Sequence, residues 1–198
     1  MSWYILALFA HIVGVLVLFM SIALQWLITL RVRGARSITQ VREWSGLARG
    51  LTRLAPVSGV LILGAGISMT AIAWSILTTW IDVSVAAMVI MMILGMGVVG
   101  RRLKAIHHAA TEASSDAIPA ALQARMDDPP LWIAMQMAVA VALGIVFLMT
   151  TKPSLTISIV SVLVSLALGA LIGLLMVRPR RVAPAQVRAL PVKGASIR

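Results

Sequence analysis

The 198-residue chain has no cysteine, and only six acidic residues face its seventeen basic ones. Without cysteine there are no disulfides, no thiolate catalysis and no cysteine-ligated metal, and nothing reports on redox compartment. Charge is scarce altogether, at 12% of residues, where a soluble domain carries about a quarter. No carboxylate falls inside any long apolar run. A buried acid–base pair, a hard-cation site or the coupling carboxylate of many ion-driven pumps therefore has no residue to build it there. Channels and carriers of neutral compounds need none. Aromatic side chains are not interleaved with the basic ones as stacking platforms, so the net charge of +11 does not point to nucleic acid.

What the chain has in abundance is apolar sequence: 61% hydrophobic residues and a mean hydropathy of +1.02. Residues 1–30 hold one side chain that can ionise near neutral pH, His11, and exceed the ~20 residues that cross a bilayer. No basic residue precedes this run, so it reads as a retained helix and not as a cleaved signal. Four further charge-free intervals follow, 54–81, 83–100, 129–151 and 153–177. In lipid every backbone polar group must be paired internally, so runs of this length are helices. The expectation is an all-α membrane bundle occupying 1–177, with five transmembrane helices near 3–30, 55–80, 83–101, 130–151 and 156–177. A basic tail, 178–198, reads as disordered.

Orientation follows from the basic residues. Sixteen of the seventeen lie in the first connection, the third connection and the tail, and Lys152 alone lies in the other two connections. The positive-inside rule then places the N-terminus outside and the C-terminus in the cytoplasm. Trp3, Tyr4, Trp74 and Trp80 fall near outer ends and Trp26 and Trp132 near inner ends, as interfacial aromatics do.

The first cytoplasmic connection carries its own helix signal near 37–53. Ser37-Ile38-Thr39-Gln40 has the form of a capping box. Ile38, Val41, Trp44, Leu47 and Leu51 recur at three- and four-residue steps, with Arg42, Arg49 and Arg53 on another face. Such a helix lies in the inner headgroup layer with its arginines on anionic lipid, or covers the nearest apolar surface. The second connection predicts an extension of the third span and a short helix near 119–126, with Asp128-Pro129-Pro130 starting the next.

Small residues make two close-packing faces, Gly64-x3-Ser68 and Gly169-x3-Gly173. These are expected to pack within the bundle, or to pair helix five with a second copy in a homo-oligomer. Gln25 and Gln136, both near inner ends, form a candidate interhelical hydrogen bond.

His11 is the ionisable side chain well inside a span, ~12 Å below Trp3 at the helical rise, and such a residue is a functional candidate. It reads either as a neutral imidazole bonded to a neighbouring helix or as a ligand. Met88, Met92 and Met96 recur by fours on the third span with Met91 beside them. Met91 and Met92 fall at the depth of His11, with Gly14 a turn away to open space. Imidazole and thioether together suit Cu(I) or the axial positions of a haem; methionine is equally a core filler. His107 and His108 are adjacent, diverge by ~100° on a helix, and sit at the cytoplasmic end.

Three local patterns, His11-Ile12-Val13-Gly14, Arg53-Leu54-Ala55-Pro56 and Leu148-Met149-Thr150-Thr151-Lys152-Pro153, together with the helix layout, resemble a family of uncharacterised bacterial multi-pass inner-membrane proteins. That family is distantly similar to copper-resistance D-type proteins and to small membrane proteins implicated in protoporphyrinogen oxidation. The resemblance implies a haem role for His11. The chain lacks the second intramembrane histidine that a bis-histidine haem within one subunit would use. Two function classes follow: a small transport or cofactor-binding protein using His11, with copper or haem, or an accessory subunit scaffolding a larger membrane complex without a ligand.

Overall fold

The computed structural model describes residues 2–51, 54–74 and 78–177; Arg53 and the tail over 178–198 lie outside the described residues. Every regular element among the described residues is helical. Among the described residues five helices are long and apolar enough to cross a membrane. We number the helices α1 (Trp3–Arg33), α2 (Ile38–Leu51), α3 (Leu54–Ala73), α4 (Thr79–Met92), α5 (Arg101–Glu112), α6 (Ala120–Met126), α7 (Pro129–Thr151) and α8 (Leu155–Met176). A π-helical segment, Ile93–Gly100, joins α4 to α5 without a break.

That segment has a reason in packing. On α4 the buried residues are Ser84, Ala87, Met88 and Met91. Continued at the α-helical period, this stripe would pass through positions 98, 102, 105 and 109. The buried residues are instead Val99, Leu103, Ile106 and Ala110, each one position later. A π turn takes up one extra residue and returns the shifted stripe to the core side. The segment contains Gly95, Gly97 and Gly100, and a Cβ on Gly100 would stand 3.4 Å from the Gly95 carbonyl oxygen.

The apolar helices form two units. α1 lies along α3, and α7 lies along α8 with α4 packed across both. Missing side chains set the closeness of each pairing. A Cβ on Gly14 would stand 2.9 Å from Ile62 Cγ1 and from Leu61 Cβ, which draws α1 onto α3. A Cβ on Gly169 would stand 2.5 Å from Met137 Cα, and one on Gly173 2.5 Å from Ile133 Cα, so α8 touches the α7 backbone itself. Between the units larger side chains interdigitate: Val15, Phe19 and Ile62 meet Ala87, Met88 and Met91 in one apolar cluster. Hydroxyls along the apolar helices donate to carbonyls one turn back, as in Ser68 to Gly64 O, Ser84 to Trp80 O and Ser165 to Ser161 O. Each polar group is thereby paired without water.

At the end where α1 finishes and α7 begins, a second cluster builds a compact cap from α2, α5 and α6. Consecutive aspartates at the start of α7 tie it together. Asp127 accepts from Arg33 Nε at 2.9 Å, and Asp128 accepts from Arg102. Trp132 is fully buried, its indole N–H donating to Met126 O at 3.1 Å and the Arg33 guanidinium 4.3 Å above its ring. It is a core residue and not part of an interfacial belt. At the opposite end Trp74 and Trp80 meet edge to face, and the Lys152 ammonium lies 4.5 Å over Trp74. Lys152 closes α7 in the left-handed conformation (φ 49°).

Two sequence expectations change here. Gly64 has nothing within 4 Å of a Cβ position; with Ser68, Ala7, Ala10 and Trp3 it lines an open groove of about 590 Å³ between α1 and α3. The Gly64–Ser68 face is thus left uncovered within the chain, because Gly14 directs α1 to the Leu61–Ile62 side of α3. Gln25 and Gln136 do not bond to one another: Gln136 Nε2 donates to Met176 Sδ at 3.0 Å, and the Gln25 carbonyl accepts from Thr29.

The two small-residue faces should therefore respond differently to added bulk. Gly173→Leu forces a side chain into the α7 backbone and should destabilise the detergent-solubilised protein by about 1–3 kcal/mol, the usual cost of overpacking. Gly64→Leu should leave the melting temperature unchanged. Thermal unfolding of both variants checks the contrast; equal effects would contradict the packing described.

Candidate functional site

His11 sits on the α1–α3 seam. Its Nδ1 is 3.0 Å from the Ile62 carbonyl oxygen. A carbonyl can only accept, so Nδ1 carries the hydrogen and the lone pair of the neutral ring belongs to Nε2. Gly66 makes the approach feasible: His11 Nδ1 and Cε1 both lie 3.7 Å from the point where its Cβ would stand. The edge bearing Nδ1 faces α3, which turns Nε2 away from that helix. Among the described residues the one sealed side-chain atom without a partner is Arg33 Nη2. Among the described residues Nε2 meets no hydrogen-bond partner.

The methionines are elsewhere. Met88 and Met91 are buried in the cluster where α4 meets α7, α8 and side chains of α1 and α3, and Met88 Cε reaches to 3.9 Å from the Cβ position of Gly59. Met92 points outward at 39% exposure. The expected meeting of His11 with Met91 or Met92 required α1 and α4 to lie side by side. The helix along α1 is α3, and Gly14 is occupied by that contact instead of opening a cavity. The structure therefore brings His11 to a backbone carbonyl and not to a thioether. No group of three or more histidine, aspartate or glutamate side chains is placed to hold a metal ion among the described residues.

The cap is richer in polar contacts, and sequence reasoning missed how they are shared. The N-terminus of α2 is closed by Asp116, a residue 77 positions on: its Oδ1 accepts from the Thr39 N–H at 3.0 Å and the Thr39 hydroxyl at 2.8 Å. Its carbonyl accepts from the Ile38 N–H. The C-terminus of α5 is closed in return by Arg42 of α2, whose Nε and Nη2 donate to the Ala110 and Ala113 carbonyls at 2.7 Å each. An anion at a helix start and a cation at a helix end both complement the helix dipole. The capping box is present in part. Ser37 Oγ accepts from Gln40 N–H, but Gln40 reaches back to the Arg36 N–H instead of to Ser37. Arg42, expected on lipid, is turned inward to these carbonyls.

His107 lies between the two helices, its Nδ1 2.7 Å from Ser45 Oγ. The Ser45 hydroxyl also lies 2.6 Å from the Val41 carbonyl and gives its hydrogen there, so His107 Nδ1 donates to it. His107 is on the extension past the apolar part of the long α4–α5 helix. The 22 residues of Thr79–Gly100 already span ~33 Å at the helical rise. His108 diverges from His107, as expected, and pairs with the exposed Glu112 at 3.1 Å.

The chain matches no protein-family model, no curated protein and no solved structure.

Titration of the cap has a definite sign. Burial first, then the Arg49 guanidinium and His108, hold the His107 imidazole below its ordinary 6.5. The Thr39 N–H and hydroxyl, with Arg42 further off, hold the Asp116 carboxyl below its usual range. For His107 the folded state disfavours the charged form, so the unfolded chain binds more protons. This stability is complete above 6.5 and is lost as pH falls from there through the lower folded value. Melting temperature should therefore decline below pH 6.5, and His107→Gln, which keeps a donor for Ser45, should remove that part of the decline. An unaltered profile in the variant would mean that His107 does not contribute.

Proposed function

We propose that the protein is an accessory or scaffolding component of a bacterial inner membrane, crossing it five times with its N-terminus outside and the α2–α5–α6 cap in the cytoplasm. The observation that carries this reading is the way polar groups are spent. Arg33, Arg42, Arg102, Asp116, Asp127 and Asp128 are all engaged in holding helix ends together, and among the described residues they are spent on the cap and not on a catalytic grouping. A partner would be a membrane protein or a second copy, and anionic lipid would lie against the basic end. The likeness of the His11 and Lys152 patterns to uncharacterised bacterial multi-pass proteins belongs to this proposal and brings no activity with it.

A second reading is favoured by one observation. His11 Nε2 has a free lone pair within an apolar span, where an unpaired polar atom is costly. It suits a single-imidazole ligand for copper or haem, with the remaining positions filled from outside the chain.

Single-cysteine labelling tests the orientation, since the parent has no cysteine. Cysteines replacing Ser2 and Ser154 should react with an impermeant maleimide in intact cells, and one replacing Ser114 only after lysis. Reaction at 114 in intact cells would reverse the orientation. Metal analysis and an absorption spectrum of the purified protein separate the two functional readings. The scaffold reading expects sub-stoichiometric copper and iron and no haem band. Near-stoichiometric ligand that His11→Ala removes would establish the second.

A further inference from the structure

The two ion pairs at the start of α7 set a common level for four helix ends. Arg33 in the last turn of α1 meets Asp127, just past the end of α6, and Arg102 in the first turn of α5 meets Asp128 at the start of α7. Around that level stand four exposed cations: Arg31, two residues from Arg33; Arg101, next to Arg102; Lys104, one turn further; and Arg125, two residues before Asp127. Arg31 lies 5.7 Å over the Trp44 ring. Among the described residues none of the four is paired with a carboxylate.

The acids are accounted for one by one. Of the six, Asp127 and Asp128 are paired with Arg33 and Arg102, Asp116 is bound at the start of α2 by Thr39, and Glu112 lies against His108. Asp82 is in the first turn of α4, at the far end of that span, and Glu43 is on the exposed face of α2. The collar therefore keeps an excess of positive charge that the fold does not neutralise. It sits where the apolar surface of α1 and of α4 gives way to polar sequence.

We infer that this collar, Arg31, Arg101, Lys104 and Arg125, is a binding surface for the headgroups of anionic phospholipid, to which Arg42 of α2 does not contribute. The inference rests on the membrane-spanning reading and deepens it. Of the arginines that the amphipathic pattern would send to lipid, Arg42, Arg49 and Arg53, Arg42 is committed to the Ala110 and Ala113 carbonyls. Headgroup phosphate lies at the height where apolar helix ends, which is the height of the collar. Attraction there is worth roughly fivefold in association per basic residue near an anionic surface, and it weakens as salt shortens the screening length.

The experiment uses the full chain in phosphatidylcholine vesicles with spin-labelled phosphatidylglycerol or phosphatidylcholine at equal level. Electron spin resonance reports the fraction of each label immobilised by the protein. The wild type should immobilise more phosphatidylglycerol than phosphatidylcholine. That preference should be lost in the fourfold variant R31Q/R101Q/K104Q/R125Q and at high salt, and unchanged in Arg42→Gln. Should the fourfold variant fail to fold, R101Q/K104Q and R31Q/R125Q divide the collar, and each should lose part of the preference. No preference in the wild type, or full preference retained in the folded collar variants, overturns the inference. Abolition of the preference by inorganic phosphate, but not by sodium chloride of equal ionic strength, would overturn it in favour of a free-phosphate site. Immobilisation of neither label would instead show that the chain does not sit in the bilayer, which is a failure of the membrane reading.

Discussion

Two adjacent aspartates hold this structure in register. Asp127 takes Arg33 from the end of α1, and Asp128 takes Arg102 from the start of α5. Successive residues at a helix start point in different directions, so each can reach a different neighbour while both belong to one rigid turn. Arg33 is the more constrained partner. Its side chain is 9% exposed, lies on the face of Trp132 and also donates to the Met176 carbonyl, so one guanidinium contacts α1, the α6–α7 junction and α8. Charge held this deep is worth most when every neighbour stays in place.

From that junction the rest of the architecture divides by the type of contact available. Within each apolar unit, helices approach through absent side chains: Gly14 against α3, Gly169 and Gly173 against α7. Helices surrounded by an apolar medium gain little from burying apolar surface, so close backbone approach and dispersion decide which of them pair. Between the units the contact is made by Phe19, Ile62 and Met88. In the cap, where polar groups must be satisfied at helix ends, α2 and α5 exchange caps, Asp116 for one and Arg42 for the other. The same exchange turns Arg42 inward, away from the exposed collar cations.

The position of His11 shows how the same local feature changes meaning with its neighbour. A histidine within an apolar span must find a partner or pay for exposure in hydrocarbon. A carbonyl on α3 satisfies one ring nitrogen and, by accepting only, fixes which nitrogen remains free. The pairing of α1 with α3 is therefore what separates His11 from the methionines of α4.

The sequence by itself determined the helical class and the number of long apolar helices, and it offered Gly169 and Gly173 as a face that admits a close neighbour. Each follows from local rules: lipid forbids unpaired backbone, and glycine admits a neighbouring backbone whatever that neighbour is. It also foretold an amphipathic helix after α1 and a capping signal at Ser37. It could not say what those local features would meet. Which helix lies beside α1, whether Gly64 is covered, where Gln136 and Arg42 direct their hydrogen bonds, and that Asp116 caps a helix 77 residues away depend on long-range partners. A one-residue shift in the π segment Ile93–Gly100 likewise shows in the apolar pattern only as a change of phase, and packing against α2 gives that change its meaning. Side-chain type and spacing set what each residue can do, while only tertiary packing brings it the partner with which to do it.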